Sequence, residues 1–435
     1  MARKERTSRI PAVKLEITKR REDKKMIKKV FKVCLGGLFL LAAVTISYDY
    51  SWPADPGVTG TEVLFGMHCT LTGPAAWIGL GARDGLTMAF DEINDTGGVH
   101  GRKLKFITED DENSPAKGIS AVRKLIEVSN VFLVICGSGS TPAMGVAPIM
   151  RDYKIPYFNP VAANQKIHEP FSRYVFNGAV PAADKIGLSM ADLAVRVKGY
   201  KRIAILNETG EWPKSVVIGI MGFFKEKGID PVGRQEFTVG DKDFSAQILA
   251  LKRLNPDVVL YSGHYVEFAA VVRQAPELGF KTQWIADPAS SNETVIKVAG
   301  EAAEGVISGW PPAEQFTNDP AYPMGEFIRR YKAKYPRSPE GRPNYIDIYL
   351  YADGYVIAEA LKRAGRDLTR EKFIIAVESI KDFVGGPKSG WQSGVPVGLP
   401  RSFGPTPAEH WGTKSMTFLQ VKNGRYVSTG YRYGM

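Results

Sequence analysis

The chain has 435 residues, 44% of them apolar, enough for a large core and two or three domains. Its net charge of +11 sits at the start: residues 1–32 hold 13 Lys/Arg against 4 Asp/Glu, and the rest of the chain holds 44 against 42. The body is therefore nearly neutral, which excludes a basic groove for a phosphate backbone and with it nucleic acid as a partner.

The basic stretch MIKKVFK (Met26 to Lys32) runs into 14 uncharged residues, Val33 to Ile46. That run is short of the roughly 20 residues that span a bilayer and has the length of a secretory apolar region. Thr45 and Ser47 are small residues suited to a cleavage before Tyr48, so residues 1–47 are predicted to be a basic leader plus signal peptide. The other reading is an uncleaved anchor with Tyr48, Tyr50 and Trp52 at the interface. Of the three cysteines, Cys34 leaves with the signal. Cys69 and Cys136 each end an apolar run and are expected to be two buried thiols, although an oxidising compartment would permit a disulfide.

Beyond the leader, strand-like and helix-like segments alternate. Strands are expected over 62–69, 103–110, 131–137 and 155–161, with helices over 82–98, 115–129 and 142–153 between them. The pattern restarts with helices over 186–197, 215–228, 244–255 and 267–279 and strands over 201–208, 256–263 and 281–288. A long helix (344–365), a Gly/Pro-rich segment (385–407) and two strand-like runs close the chain. Repeated βαβ units imply an α/β fold of two doubly wound lobes with parallel sheets. Ligands of such sheets bind outside the carboxyl ends of the strands, so the loops near 70–80, 137–141, 161–165, 208–214, 263–265 and 287–291 are the candidate site.

The turn Cys136-Gly-Ser-Gly-Ser-Thr-Pro142 has a shape that three chemistries share. A phosphate cradle needs Gly-Lys-Ser/Thr, and there is no lysine between Lys124 and Lys154. A nucleophile elbow needs glycine two residues either side of a serine, which neither Ser138 nor Ser140 has. What remains is a helix N-terminus with free N–H groups and hydroxyls, able to hold an anion, or a simple cap by Ser140 or Thr141 with Pro142 at the first helical position. Gly79, Gly81 and Gly85 lack the dinucleotide spacing. The five histidines show no metal-binding spacing, so no metal or cofactor is expected. The carboxylate pairs Asp110/Asp111 and Asp91/Glu92 read as solvated faces and caps. Trp77 and Trp212, in candidate cleft loops, suggest an apolar ligand platform.

Three segments carry a family resemblance: Leu71 to Ile126 (LTGPAAWIGLGARDG…KLI), Gly240 to Gln283 (GDKDFSAQILALKRLNPDVVLYSGHY…KTQ) and Phe403 to Val427 (FGPTPAEHWGTKSMTFLQVKNGRYV). They resemble periplasmic branched-chain amino-acid (leucine/isoleucine/valine)-type solute-binding proteins of ABC transporters. The resemblance implies a type I periplasmic-binding fold, with lobe 1 from 60–182 and 312–391 and lobe 2 from 183–311 and 392–435, joined by a three-strand hinge. It implies a periplasmic, non-enzymatic receptor without cofactor, a monomer that closes on a small ligand and delivers it to an inner-membrane ABC permease. A same-fold sensor that signals to a membrane kinase or chemoreceptor is the alternative. In the family a serine of the turn after the third strand binds the ligand carboxylate; here that is Ser140, beside Thr141. The next strand end reads NPVAAN, so Ala162 and Ala163 offer backbone N–H but no hydroxyl. The family's cleft aromatics become Trp212 and His264, and its ammonium-binding acid aligns with Pro288, with Asp287 adjacent. The resemblance implies an amino-acid-like or other carboxylate-bearing ligand; these departures point away from a branched-chain side chain and leave open another amino acid, a bulkier or aromatic acid, an amide or another small molecule.

Overall fold

The structure, a computed structural model, describes residues 55–310, 323–336, 343–384 and 400–434. The predicted leader and signal peptide (1–47) and the predicted lobe boundaries at 311/312 and 391/392 lie outside them. The first half builds β1 (Glu62–Cys69), α1 (Ala76–Asp95), β2 (Lys103–Asp110), α2 (Pro115–Arg123), β3 (Val134–Gly137), α3 (Ser140–Tyr153), β4 (Tyr157–Asn159) and β5 (Val175–Asn177). These strands form one all-parallel sheet in the order β2-β1-β3-β4-β5. Helical crossovers enforce the parallel pairing and cover both faces. The inner strands are correspondingly apolar throughout: Val134–Gly137 is wholly buried.

The second half builds α4 (Ala183–Asp192), β6 (Ile203–Glu208), α5 (Glu211–Lys227), β7 (Gly233–Phe237), α6 (Ser245–Leu254), β8 (Val258–Ser262), α7 (Tyr265–Glu277), β9 (Gln283–Ala286), α8 (Glu293–Ala299) and β10 (Ile307–Trp310). There follow α9 (Pro323–Lys334), α10 (Tyr345–Ala364), α11 (Arg370–Glu378), β11 (Ser415–Lys422) and β12 (Arg425–Gly434). The second sheet runs β12-β11-β10-β9-β8-β6-β7, parallel except for the antiparallel pairs β10–β11 and β11–β12. The fold is thus α/β with two doubly wound lobes. Among the described residues no helix is long and apolar enough to cross a membrane.

Although late in sequence, α10 packs on α1 of the first lobe. The contact depends on small residues: a Cβ on Gly85 would come within 2.1 Å of the Asp347 carbonyl oxygen. In the same helix a Cβ on Gly79 would come within 2.0 Å of the Thr70 oxygen. The glycines of IGLGARDG therefore let the helix lie against backbone. Two crossings between the sheets run side by side, since the Gly412 amide donates to the Asn177 carbonyl (2.7 Å) and the Thr413 hydroxyl to that of Ala179 (2.7 Å).

Three strands absent from the sequence reading, β5, β7 and β10, are short or amphipathic. Gly233–Phe237 is a sheet edge whose charged residues face solvent, so its apolar signal is weak. Helices α1, α5 and α7 begin two to six residues earlier than their apolar spacing suggested. Their first turns carry Trp77, Trp212 and Tyr265, aromatic residues that fall outside the aliphatic spacing used to place the helices.

Candidate functional site

Each sheet reverses direction once. In the first the switch lies between β1 and β3, in the second between β6 and β8. Such points open a crevice at the carboxyl ends of the strands. The two crevices face each other across a cavity with about 420 Å³ of empty space, part of it open to solvent. Ile78 comes from α1, Gly139 and Ser140 from the start of α3, Trp212 from the first turn of α5 and His264 from the residue before α7. Val161 and Val180, Pro288 and Ala289 after β9, and Tyr345, Ile346 and Tyr349 at the start of α10 complete the wall. No side chain caps α1, α3, α5 or α7. Four helix N-termini, with their positive dipole ends, therefore converge on one mainly apolar space.

Ser140 is the first residue of α3, with Gly139 at the N-cap position, so neither Ser140 nor Thr141 is the cap and Pro142 is the third helical residue, not the first. The Ser140 hydroxyl oxygen accepts the amides of Ala163 and Asn164, both at 3.1 Å. With both lone pairs engaged, its proton is left to donate, polarised by the bonds it accepts. Ala162 and Ala163 are buried, and their amides are already used by Asn159 (2.9 Å) and Ser140, so neither alanine offers the N–H read from the sequence. Thr141 is half-buried and does not line the cavity.

On the opposite wall, His264 Nδ1 donates to Glu208 Oε2 at 2.7 Å. Burial alone would lower the imidazole, but the Glu208 carboxylate holds it up at about 9, so it is cationic at neutral pH. Burial would raise the Glu208 carboxyl, and the imidazolium keeps it below its usual range. Trp212 donates its indole N–H to Asp287 Oδ2 (3.0 Å). That oxygen also accepts from Ser262 Oγ (2.6 Å) and the Gly263 amide (3.2 Å), while Oδ1 accepts the Ala289 amide (2.9 Å). Asp287 has no exposed surface, and burial pushes it up to about 6 despite these donors. It orients the Trp212 ring from behind the wall and does not face the cavity. Trp77 also stands behind the wall, edge-on to His264 (5.5 Å), Tyr265 (5.0 Å) and Tyr345 (5.8 Å). Asn164 Nδ2 donates to the Glu211 carbonyl (2.9 Å), which together with the Trp77 contacts ties the two lobes around the cavity.

Of the eight residues singled out from the sequence, Ser140, Trp212 and His264 line the cavity, and Asp287 and Trp77 brace it. Tyr345 and Tyr349 were missed. Their signal was the pattern Asn344-x-x-Asp347, a capping box that fixes the start of α10. Asp111, read as a solvated cap, has no exposed surface. It accepts from His68 Nδ1 (2.8 Å), from Thr70 Oγ1 (2.7 Å) and from Ser138 Oγ, while His68 Nε2 contacts the Tyr157 hydroxyl at 2.7 Å. Burial works against the His68 charge, yet the Asp111 carboxylate in contact with it holds the imidazole up at about 10. Burial would raise Asp111, but His68, Ser138 and Thr70 keep it low. Ser138 is thus structural and Ser140 faces the cavity. Cys69 and Cys136 are free, buried thiols.

A two-lobed α/β protein with an apolar, donor-lined cavity at facing switch points has the construction of a solute receptor. The family profile described as "Periplasmic binding protein" matches residues 62–425, and the chain belongs to that family. It is 27% identical over 339 residues, 76% of this chain and 84% of the relative, to the leucine-, isoleucine-, valine-, threonine- and alanine-binding protein of Pseudomonas aeruginosa. Its fold is that of a branched-chain amino-acid transporter substrate-binding protein from Streptococcus pneumoniae bound to isoleucine (TM-score 0.70, 20% identity, 86% of this chain and 99% of that one). It is also that of an ABC-transporter solute-binding protein from R. palustris bound to benzoate (TM-score 0.71, 19% identity, 85% and 96%). The role of the chain is periplasmic solute binding.

Proposed function

We propose that this chain captures a small carboxylate-bearing solute between its lobes and presents it, without chemical change, to an inner-membrane ABC permease. Residues 1–47 would act as the export signal and the mature protein would work as a monomer. The observation that carries the ligand reading is Ser140: a buried hydroxyl that accepts two amides, keeps a proton to donate and stands at an uncapped helix N-terminus. A desolvated carboxylate costs several kcal/mol unless donors surround it. Each charge-assisted hydrogen bond returns about 1.5–3 kcal/mol, so the Ser140 hydroxyl, the first amides of α3 and the His264 imidazolium offset that cost, and burial of the ligand's apolar body against Trp212 supplies the rest of the about −8 kcal/mol that binding near 1 μM requires. The Pseudomonas relative is named for amino acids and the R. palustris structure holds benzoate; both kinds of ligand carry a carboxylate. Closure on the ligand would create the shape that a permease reads.

Ser140→Ala tests this reading. Because the hydroxyl also holds the amides of Ala163 and Asn164, the variant loses stability as well as affinity. The discriminating readout is therefore a ratio: calorimetric affinity for an acid should fall roughly tenfold or more relative to its neutral amide. Equal losses for acid and amide would remove Ser140 from the carboxylate site.

A further inference from the structure

The carboxylate reading leaves open what the acid is attached to, and the inference drawn here rests on that reading. Among the described residues that line the cavity, none carries a carboxylate. The acids nearest to it are committed elsewhere. Glu208 is paired with His264, Asp287 holds the Trp212 indole, two amides and Ser262, and Asp347 sits in the capping box of α10. A ligand ammonium would instead meet the imidazolium of His264 and the positive ends of four helices. It would lose its hydration with no anionic partner, the costliest way to bury a charge.

The remaining wall is apolar and stiff. Trp212 is held by its indole N–H, and Trp77 packs edge-on against three rings. Ile78, Val161, Val180 and Pro288 line the cavity with Trp212, and Trp77 braces it from behind. Such a surface takes a ring or a short branched chain, and its side-chain oxygens, those of Ser140, Tyr345 and Tyr349, are neutral and offer an α-amino group no counter-charge.

We infer that the site selects small monocarboxylic acids that have an apolar body and no amino group, and discriminates against α-amino acids of the same shape. The discrimination comes from absence of an acid in the wall, reinforced by the cationic His264, rather than from steric exclusion.

The test is calorimetry on the purified protein, freed of co-purified ligand, with four probes: leucine, isocaproate (leucine without its amino group), benzoate and benzamide. Isocaproate or benzoate should bind at least tenfold more tightly than leucine, and benzamide should bind at least tenfold more weakly than benzoate. Whichever acid is tighter identifies the body as chain or ring. Leucine binding as tightly as the tighter acid overturns the inference while leaving the carboxylate reading intact. Benzamide matching benzoate, or no binding by any of the four, overturns the carboxylate reading and the inference with it.

Discussion

Each lobe organises its switch-point turn around one buried aspartate, and the two solve the same problem differently. In the first lobe Asp111 gathers Thr70, Ser138 and His68, and the imidazolium of His68 balances its charge. In the second lobe Asp287 gathers Trp212, Ser262, Gly263 and Ala289, all neutral donors. Both carboxylates are fully buried, yet Asp111 is held below the usual range and Asp287 is pushed up to about 6. Neutral hydrogen bonds, with the His264 imidazolium acting only from a distance, do not offset the desolvation of a carboxylate, whereas a cation in contact does. The second lobe keeps its own cation, His264, on Glu208 at the cavity wall.

The largest effect is expected at Asp111. Asp111→Ala strands a buried imidazolium and two hydroxyls, and should cost about 3–5 kcal/mol in chemical denaturation. A loss under about 1 kcal/mol, the size of an ordinary surface change, would mean that the network does not hold the turn.

A smaller effect separates Asp287 by its pH dependence. Its folded value lies above the unfolded 3.8, so the folded protein is favoured on the acid side and loses stability as pH rises from about 4 to about 6. Asp111 acts in the opposite sense, since its lowered value gives stability that is present above the ordinary carboxylate range and lost as pH falls through the folded value. Asp287→Asn should therefore gain on the unmodified protein across pH 4 to 6 and hold a constant difference above that window. A difference that does not change with pH would contradict the assigned protonation.

The smallest effect is expected at His264. Its charge is complete below its ordinary value of 6.5 and disappears as pH rises through about 9. Above that, Glu208 is left as an uncompensated anion beside the bound carboxylate. Affinity for an acid should fall several-fold through this range, and His264→Gln should flatten the profile. A profile unchanged by His264→Gln would move the imidazole out of the binding site.

The fold was legible because its signals are long: buried strands such as Val258–Ser262 read as apolar runs, and α10 begins at a capping box and ends at glycine. The wall itself was only partly legible. Ser140 and Trp212 could be found from the turns that hold them, but Ala162 and Ala163 could not be judged without knowing that Ser140 and Asn159 take their amides. Asp111 and Asp287 look like any acid at a strand end, and only three-dimensional packing removes them from water. Tyr345 reaches the cavity from a helix some 200 residues beyond Ser140, a proximity with no local trace in the sequence.

The proposed function turns on Ser140 as the group that holds a small acid in the cavity. Mass spectrometry of the ligand released from protein purified under native conditions, beside Ser140→Ala prepared in the same way, tests it most directly. A small carboxylic acid is expected in the first preparation and its loss from the second. A neutral ligand, or an acid retained equally by both, would contradict it.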